Sequence, residues 1–225
     1  MIPSATRRLS LPLTILLLAA AGCSGDGSDD SQESADGADP QNVQTVEDLG
    51  ALCESPGEGY PEAAEYTEGG PNPTAIFSAA SRADTDPLTE PSLVAPGEDV
   101  AEDATPIVGW HPDSVEETSL LVCAETKDVG EELHTCEYQG SGGAEDSALP
   151  LRSQVISFTV YELATGEALH ESDFTATNGH HFGSGLTTDC PTFLQYETFP
   201  TELYGLPSAE DIYAELGTVV EGAAG

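Results

Sequence analysis

Residues 9–23 form an uncharged, mostly apolar run of Leu, Ile and Ala that closes on Ala20, Ala21, Gly22 and Cys23, with Arg7 and Arg8 just before it. At this length it falls short of the ~20 residues a spanning helix needs, and it matches the apolar core of an export signal. Residues 24–44 then change character to Gly, Ser, Asp, Glu and Gln. A segment of that composition cannot bury enough surface to offset its ordering entropy, so it is expected to be a disordered acidic tether. The folding problem is thereby confined to residues 45–225, enough for one domain with a real core and too little for two comfortable ones.

The end of the apolar run resembles the lipobox of bacterial lipoproteins, which maps onto Ala20, Ala21, Gly22 and Cys23, with Ala20 where such signals more often carry Leu. The resemblance implies a signal peptide over residues 1–22 and an acylated Cys23, anchored at the extracellular face of the cell membrane. The alternative is an ordinary secretory signal cut near Ala21. Upstream, Thr6, Arg7, Arg8, Leu9, Ser10 and Leu11 partly resemble the twin-arginine motif, with Ser10 where a large apolar residue is preferred. Both export routes stay open.

Cysteine parity agrees with anchoring. Five cysteines would leave one reactive thiol over in an exported protein. With Cys23 used as the anchor, Cys53, Cys123, Cys136 and Cys190 remain, an even set suited to disulfides in an oxidising compartment.

All 41 acidic residues follow Cys23, and only Arg82, Lys127 and Arg152 oppose them, a balance of 3 − 41 = −38. This charge excludes nucleic acid and anionic lipid surfaces as partners. It fits a protein adapted to high salt, where the Debye length shrinks to ~3 Å at 1 M, or one merely kept soluble by its charge. The run from Asp26 to Asp30 lacks the apolar residue and bidentate Glu of an EF-hand loop and reads as solvated tail.

Regular structure is expected to start at Thr45, which with Asp48 spells a capping box ahead of a short helix carrying Val46, Leu49 and Leu52 and ending near Cys53. A strand is expected at 74–78, and the stretch 84–105, rich in Asp, Glu and Pro, reads as a long acidic surface loop. Residues 118–124 and 133–138 are expected to pair as a hairpin across 127–132, with Val129 and Gly130 at its tip. Strict alternation marks a strand at 154–163, Thr165, Gly166 and Glu167 a turn, and 168–177 the next strand. Ser208 with Asp211 is a second capping box, and Ile212, Leu216, Val219 and Val220 line one face of a closing helix. The expected class is α+β: an antiparallel β-meander with a C-terminal helix and a short N-terminal helix, stapled by disulfides. In the expected hairpin Cys123 lies opposite Cys136, within reach of a disulfide, which leaves Cys53 to pair with Cys190.

Several landmarks together resemble a group of exported actinobacterial proteins. They are Cys53, Tyr60 and Tyr66, the step Pro71-Asn72-Pro73 with Asn72 in place of His, Cys123 and Cys136, the turn from Tyr161 to Gly166, Cys190 with Pro191, and Pro207 with Ser208. The resemblance spans about residues 50 to 221 and implies no activity.

Four constellations carry possible chemistry. Ser184 lies between Gly183 and Gly185 near His180 and His181, without the Gly-x-Ser-x-Gly elbow of a hydrolase. The cysteines form no Cys-x-x-Cys pair, which favours disulfides over metal ligation. His180, His181 and Asp189, with His170 and Asp173 as outliers, offer metal-ligand chemistry if the loop bends, although solvated histidines are the plainer reading. Trp110 and the aromatics Phe193, Tyr196, Phe199 and Tyr204 either floor a groove or serve the core. No catalytic machinery and no cofactor is expected. The reading is an envelope lipoprotein acting as a binding or structural module for an unknown ligand or protein partner, and the competing one is a metal-binding or metal-carrying protein centred on His180 and His181.

Overall fold

The computed structural model describes residues 42–85, 90–94, 106–139, 146–179, 182–184, 189–191, 194 and 198–222, all within one compact unit, Asp36–Gly225. The signal-like segment, Cys23, the tether as far as residue 41 and most of the acidic stretch 84–105 lie outside these residues. Among the described residues no helix is long and apolar enough to cross a membrane.

The alternating segment expected at 154–163 lies at the centre of the fold and, all but Leu163, within the longer strand β4 (Ser147–Glu162). Its even-numbered residues Ile156, Phe158 and Val160 are wholly buried in one cluster with Ile212, Leu216 and Val220 of the helix α1 (Ala209–Val220). The helix starts where its capping box predicts: Ser208 Oγ accepts from Asp211 N–H at 3.1 Å and the Asp211 carboxylate accepts from Ser208 N–H at 2.9 Å. Each of its three large aliphatic anchors contributes roughly 1.5–3 kcal/mol through burial, so the face and not helix propensity holds it.

The other sheet face is covered by the segment that starts at Thr45. Asp48 accepts from the backbone N–H groups of Gln44 and Thr45 at 2.9 and 2.8 Å, and Leu49 and Leu52 pack on Ala75, Phe77, Leu121 and Leu163. The element is a 3₁₀ helix, Val46–Cys53, where a short helix was expected.

Strand β3 (Leu120–Tyr138) corrects the expected hairpin. Residues 118–124 and 133–138 do not pair with each other; from Leu120 onward they belong to the two ends of one 19-residue strand that runs antiparallel to β4 along its whole length. A two-residue hairpin tip needs φ > 0, and Gly130 is not among the glycines with positive φ. A Cβ there would lie 2.3 Å from the side-chain Oγ of Ser153, so any larger residue would have to displace that hydroxyl. Register shifts fall between Thr126 and Asp128, Val129 and Glu132, and Glu132 and His134. Each adds one residue to β3, which is why 19 residues pair with 16.

Strand β5 (Ala168–Ala176) pairs antiparallel with β4, so β3, β4 and β5 do form a meander. The whole sheet, however, is mixed. Strand β1 (Thr74–Ala79) runs parallel to β3, β2 (Ser92–Leu93) caps β1 antiparallel from within the expected acidic loop, and β6 (Leu203–Tyr204) runs parallel to β4. The order is β2-β1-β3-β4-β5, with β6 taking the edge of β4 that β5 leaves free. A parallel β1–β3 pair needs a long crossover, and residues 80–119 supply it. The α+β class holds, as a mixed six-stranded sheet with α1 on one face and the 3₁₀ helix on the other.

Candidate functional site

All four cysteines after Cys23 are oxidised, but not in the expected pairs. Cys53 is joined to Cys123 and Cys136 to Cys190, with Cα atoms 5.6 and 5.7 Å apart. The expected Cys123–Cys136 bridge is impossible because both lie on β3, ten ladder steps and three bulge residues apart, a separation of roughly 30 Å. Cys53 closes the 3₁₀ helix on the face where Cys123 also packs, so their bridge staples that helix to the sheet. The second bridge ties the segment at Cys190 to the far end of β3. It belongs to a separate apolar cluster made by Cys136, Leu149, Leu151, Ala83 and Leu203.

This corner holds a histidine. His134 stands two residues before Cys136 on β3, so the alternation of the strand places both on the same face. The Nε2 of His134 lies 3.4 Å from Cys190 Sγ and 2.8 Å from the backbone carbonyl of Asp189. A carbonyl only accepts, so Nε2 carries the proton in this state. A ring nitrogen of His134 and the sulfurs of Cys136 and Cys190 all lie within 4.8 Å of one another. Cys136 is buried, whereas His134 and Cys190 are half-buried and reachable from solvent. The His-x-Cys spacing at period two was the signal available in the sequence; Cys190 was not linked to it by any local pattern.

The expected metal constellation is only partly within view. His180 and His181 lie outside the described residues, and Asp189 is exposed, contributing its carbonyl and not its carboxylate to His134. His170 and Asp173 project to opposite faces of β5, and Asp173 pairs with Lys127, which holds its carboxyl below the usual carboxylate range. The segment around Ser184 has a scaffolding role: the carbonyl of Ser184 accepts from Ala209 N–H at 3.0 Å and Gly183 N–H donates to Pro207 at 2.9 Å, buttressing the start of α1.

The aromatics divide between core and surface. Trp110 is buried, stacks on Tyr213 with ring centroids 5.5 Å apart and donates its indole N–H to Glu221 at 2.8 Å, so it is a core residue. Tyr204 donates to Glu202 at 3.0 Å, while Phe199 is 57% exposed. Phe193 and Tyr196 lie outside the described residues. Beside the Cys53–Cys123 bridge a cavity of about 330 Å³ is lined by Phe77, Ala79, Pro91, Thr159 and Tyr161, with Glu54 and Glu125 also lining it. Comparison with known proteins finds no matching family model, curated protein or solved structure.

Proposed function

We propose that the chain is a lipid-anchored module of the cell envelope, held outside the membrane by a tether and acting by binding or by structural support and not by catalysis. The observation that carries the reading is the cysteine pairing. Cys53, Cys123, Cys136 and Cys190 form two disulfides among themselves, which fits an oxidising compartment and leaves Cys23 as the odd cysteine. Cys23 stands at the end of the signal-like run, and about 20 residues of polar tether separate it from the start of the folded unit. Two acyl chains on that cysteine suffice for stable anchoring, where one gives only marginal affinity. The acid excess directs the module away from anionic surfaces and, in this reading, keeps it soluble in a saline exterior.

The test is fractionation and intact mass of the exported protein. The wild-type chain partitions with membranes and carries the mass of a diacylglyceryl group on Cys23, while Cys23→Ala moves to the soluble fraction. Retention of that variant in membranes overturns the anchor.

A further inference from the structure

We propose that the Cys136–Cys190 corner is a redox-gated cation site: once its disulfide is reduced, Cys136, Cys190 and His134 together bind one thiophilic divalent cation of the Zn²⁺ class. Three observations converge on it. The three donor atoms already lie within 4.8 Å of one another, brought together from β3 and from a segment more than 50 residues away. The donor set, two sulfurs and one imidazole nitrogen, is one that zinc takes in sites with an open fourth position. The distance from His134 Nε2 to Cys190 Sγ, 3.4 Å, is close to the roughly 3.6 Å that a nitrogen and a sulfur subtend on a tetrahedral zinc with bonds of ~2.0 and ~2.3 Å. The surrounding field also favours a cation, since the chain after Cys23 carries a balance of 3 − 41 = −38.

The chemistry balances with a dithiol as reductant. Its thiolate attacks Sγ of Cys190, the less buried of the two cysteines, and the electron pair of the broken S–S bond leaves on Cys136 Sγ. The second thiol of the reagent displaces Cys190, leaving as its own disulfide, and the two protons it brought end on Cys136 and Cys190. The freed sulfurs separate to about 3.8 Å by side-chain rotation, the spacing two thiolates take on zinc. Binding the cation releases both thiol protons. The proton on His134 Nε2 shifts to Nδ1, so the ring gives up its bond to the Asp189 carbonyl and donates its Nε2 lone pair to the metal. The segment at Cys190 keeps an anchor to β3 in both states, covalent when oxidised and metal-bridged when reduced.

Co²⁺ is the probe, because thiolate ligation gives it a charge-transfer absorption that oxygen ligands do not. The full exported chain is titrated with Co²⁺ under anaerobic conditions, as purified and after treatment with a dithiol that is then removed. The oxidised protein is expected to show no charge-transfer band, and the reduced protein one equivalent of Co²⁺, displaced by Zn²⁺. His134→Ala is expected to weaken the reduced protein's affinity by more than about tenfold, since even losing a group that only orients a ligand costs about 10–100-fold. Cys53 and Cys123 are also released by the dithiol, so the Cys53→Ser/Cys123→Ser variant is titrated alongside and is expected to keep the site. The proposal is overturned by a reduced protein that binds no Co²⁺ or loses its circular dichroism, by binding that His134→Ala leaves unchanged, or by binding that follows Cys53 and Cys123.

Discussion

The backbone N–H of Asn72 and its side-chain amide both donate to the carbonyl of Val220, the last residue of α1, at 2.9 and 3.2 Å. The same amide donates to the carbonyls of Thr67 and Gly70 and accepts from Thr67 N–H, so a 3% exposed side chain closes the turn before β1 and ends the helix. Asn72→Ala leaves several buried groups unpaired and is expected to cost roughly 2–4 kcal/mol, lowering the thermal midpoint by about 5–15 °C. Asn72→His lacks a carbonyl oxygen beside its donors and is expected to cost nearly as much. A midpoint within 2 °C of wild type for either variant, by differential scanning calorimetry, would show that these bonds contribute little.

Gly166 marks the turn between β4 and β5. Its φ is +71°, and a Cβ there would lie 2.0 Å from the Pro56 carbonyl oxygen, so neither its conformation nor its surroundings admit a side chain. Gly166→Ala is expected to destabilise by more than about 2 kcal/mol, the left-handed conformation alone costing roughly 1–2. Gly57→Ala, whose added methyl meets nothing within 4 Å, is expected to be close to neutral. Paired urea titrations decide it, and equal midpoints for the two variants would contradict the close approach.

Screening should stabilise the fold. The ion pair of Lys127 with Asp173 is exposed, with side chains 55% and 45% accessible, so it offers little to lose in salt. Relief of carboxylate repulsion is the larger effect, and the thermal midpoint is expected to climb from low salt toward 1 M NaCl and then flatten. A midpoint independent of salt would place the repulsion in the tether and acidic stretch, apart from the folded core.

Alkaline pH should weaken the protein in a window set by tyrosines. Burial, then the hydrogen bond to Glu202, pushes the Tyr204 hydroxyl up to about 12 from its ordinary value of 10.0, and Tyr213 and Tyr60 are raised as well. A raised pKa means the folded state holds the proton longer. The associated stability is therefore complete below pH 10 and declines as pH rises toward 12, where the unfolded chain ionises first. Tyr204→Phe removes one of these groups, and its urea midpoint is expected to fall less steeply between pH 9.5 and 11 than that of wild type. Parallel slopes would mean that Tyr204 ionises alike in both states.

Local physics made much of this chain readable before any fold was known. The capping boxes at Thr45 and Ser208, the alternation of Ile156, Phe158 and Val160, the turn at Gly166 and the composition of 24–44 each depend on neighbours a few residues apart, and the described elements among them form where expected. What tertiary structure decided was partnership. The bulges between residues 126 and 134 each add a residue and reverse the alternation, so a continuous strand carries a broken pattern that reads as a turn. That one misreading separated Cys123 from Cys53 and Cys136 from Cys190, because a disulfide depends on which faces and strand ends the sheet order brings together. His134 and Cys136 were already a pair in the sequence, two residues apart on a strand face. Only the tertiary fold set Cys190 and the Asp189 carbonyl beside them, contacts spanning 56 and 55 residues that no local preference encodes.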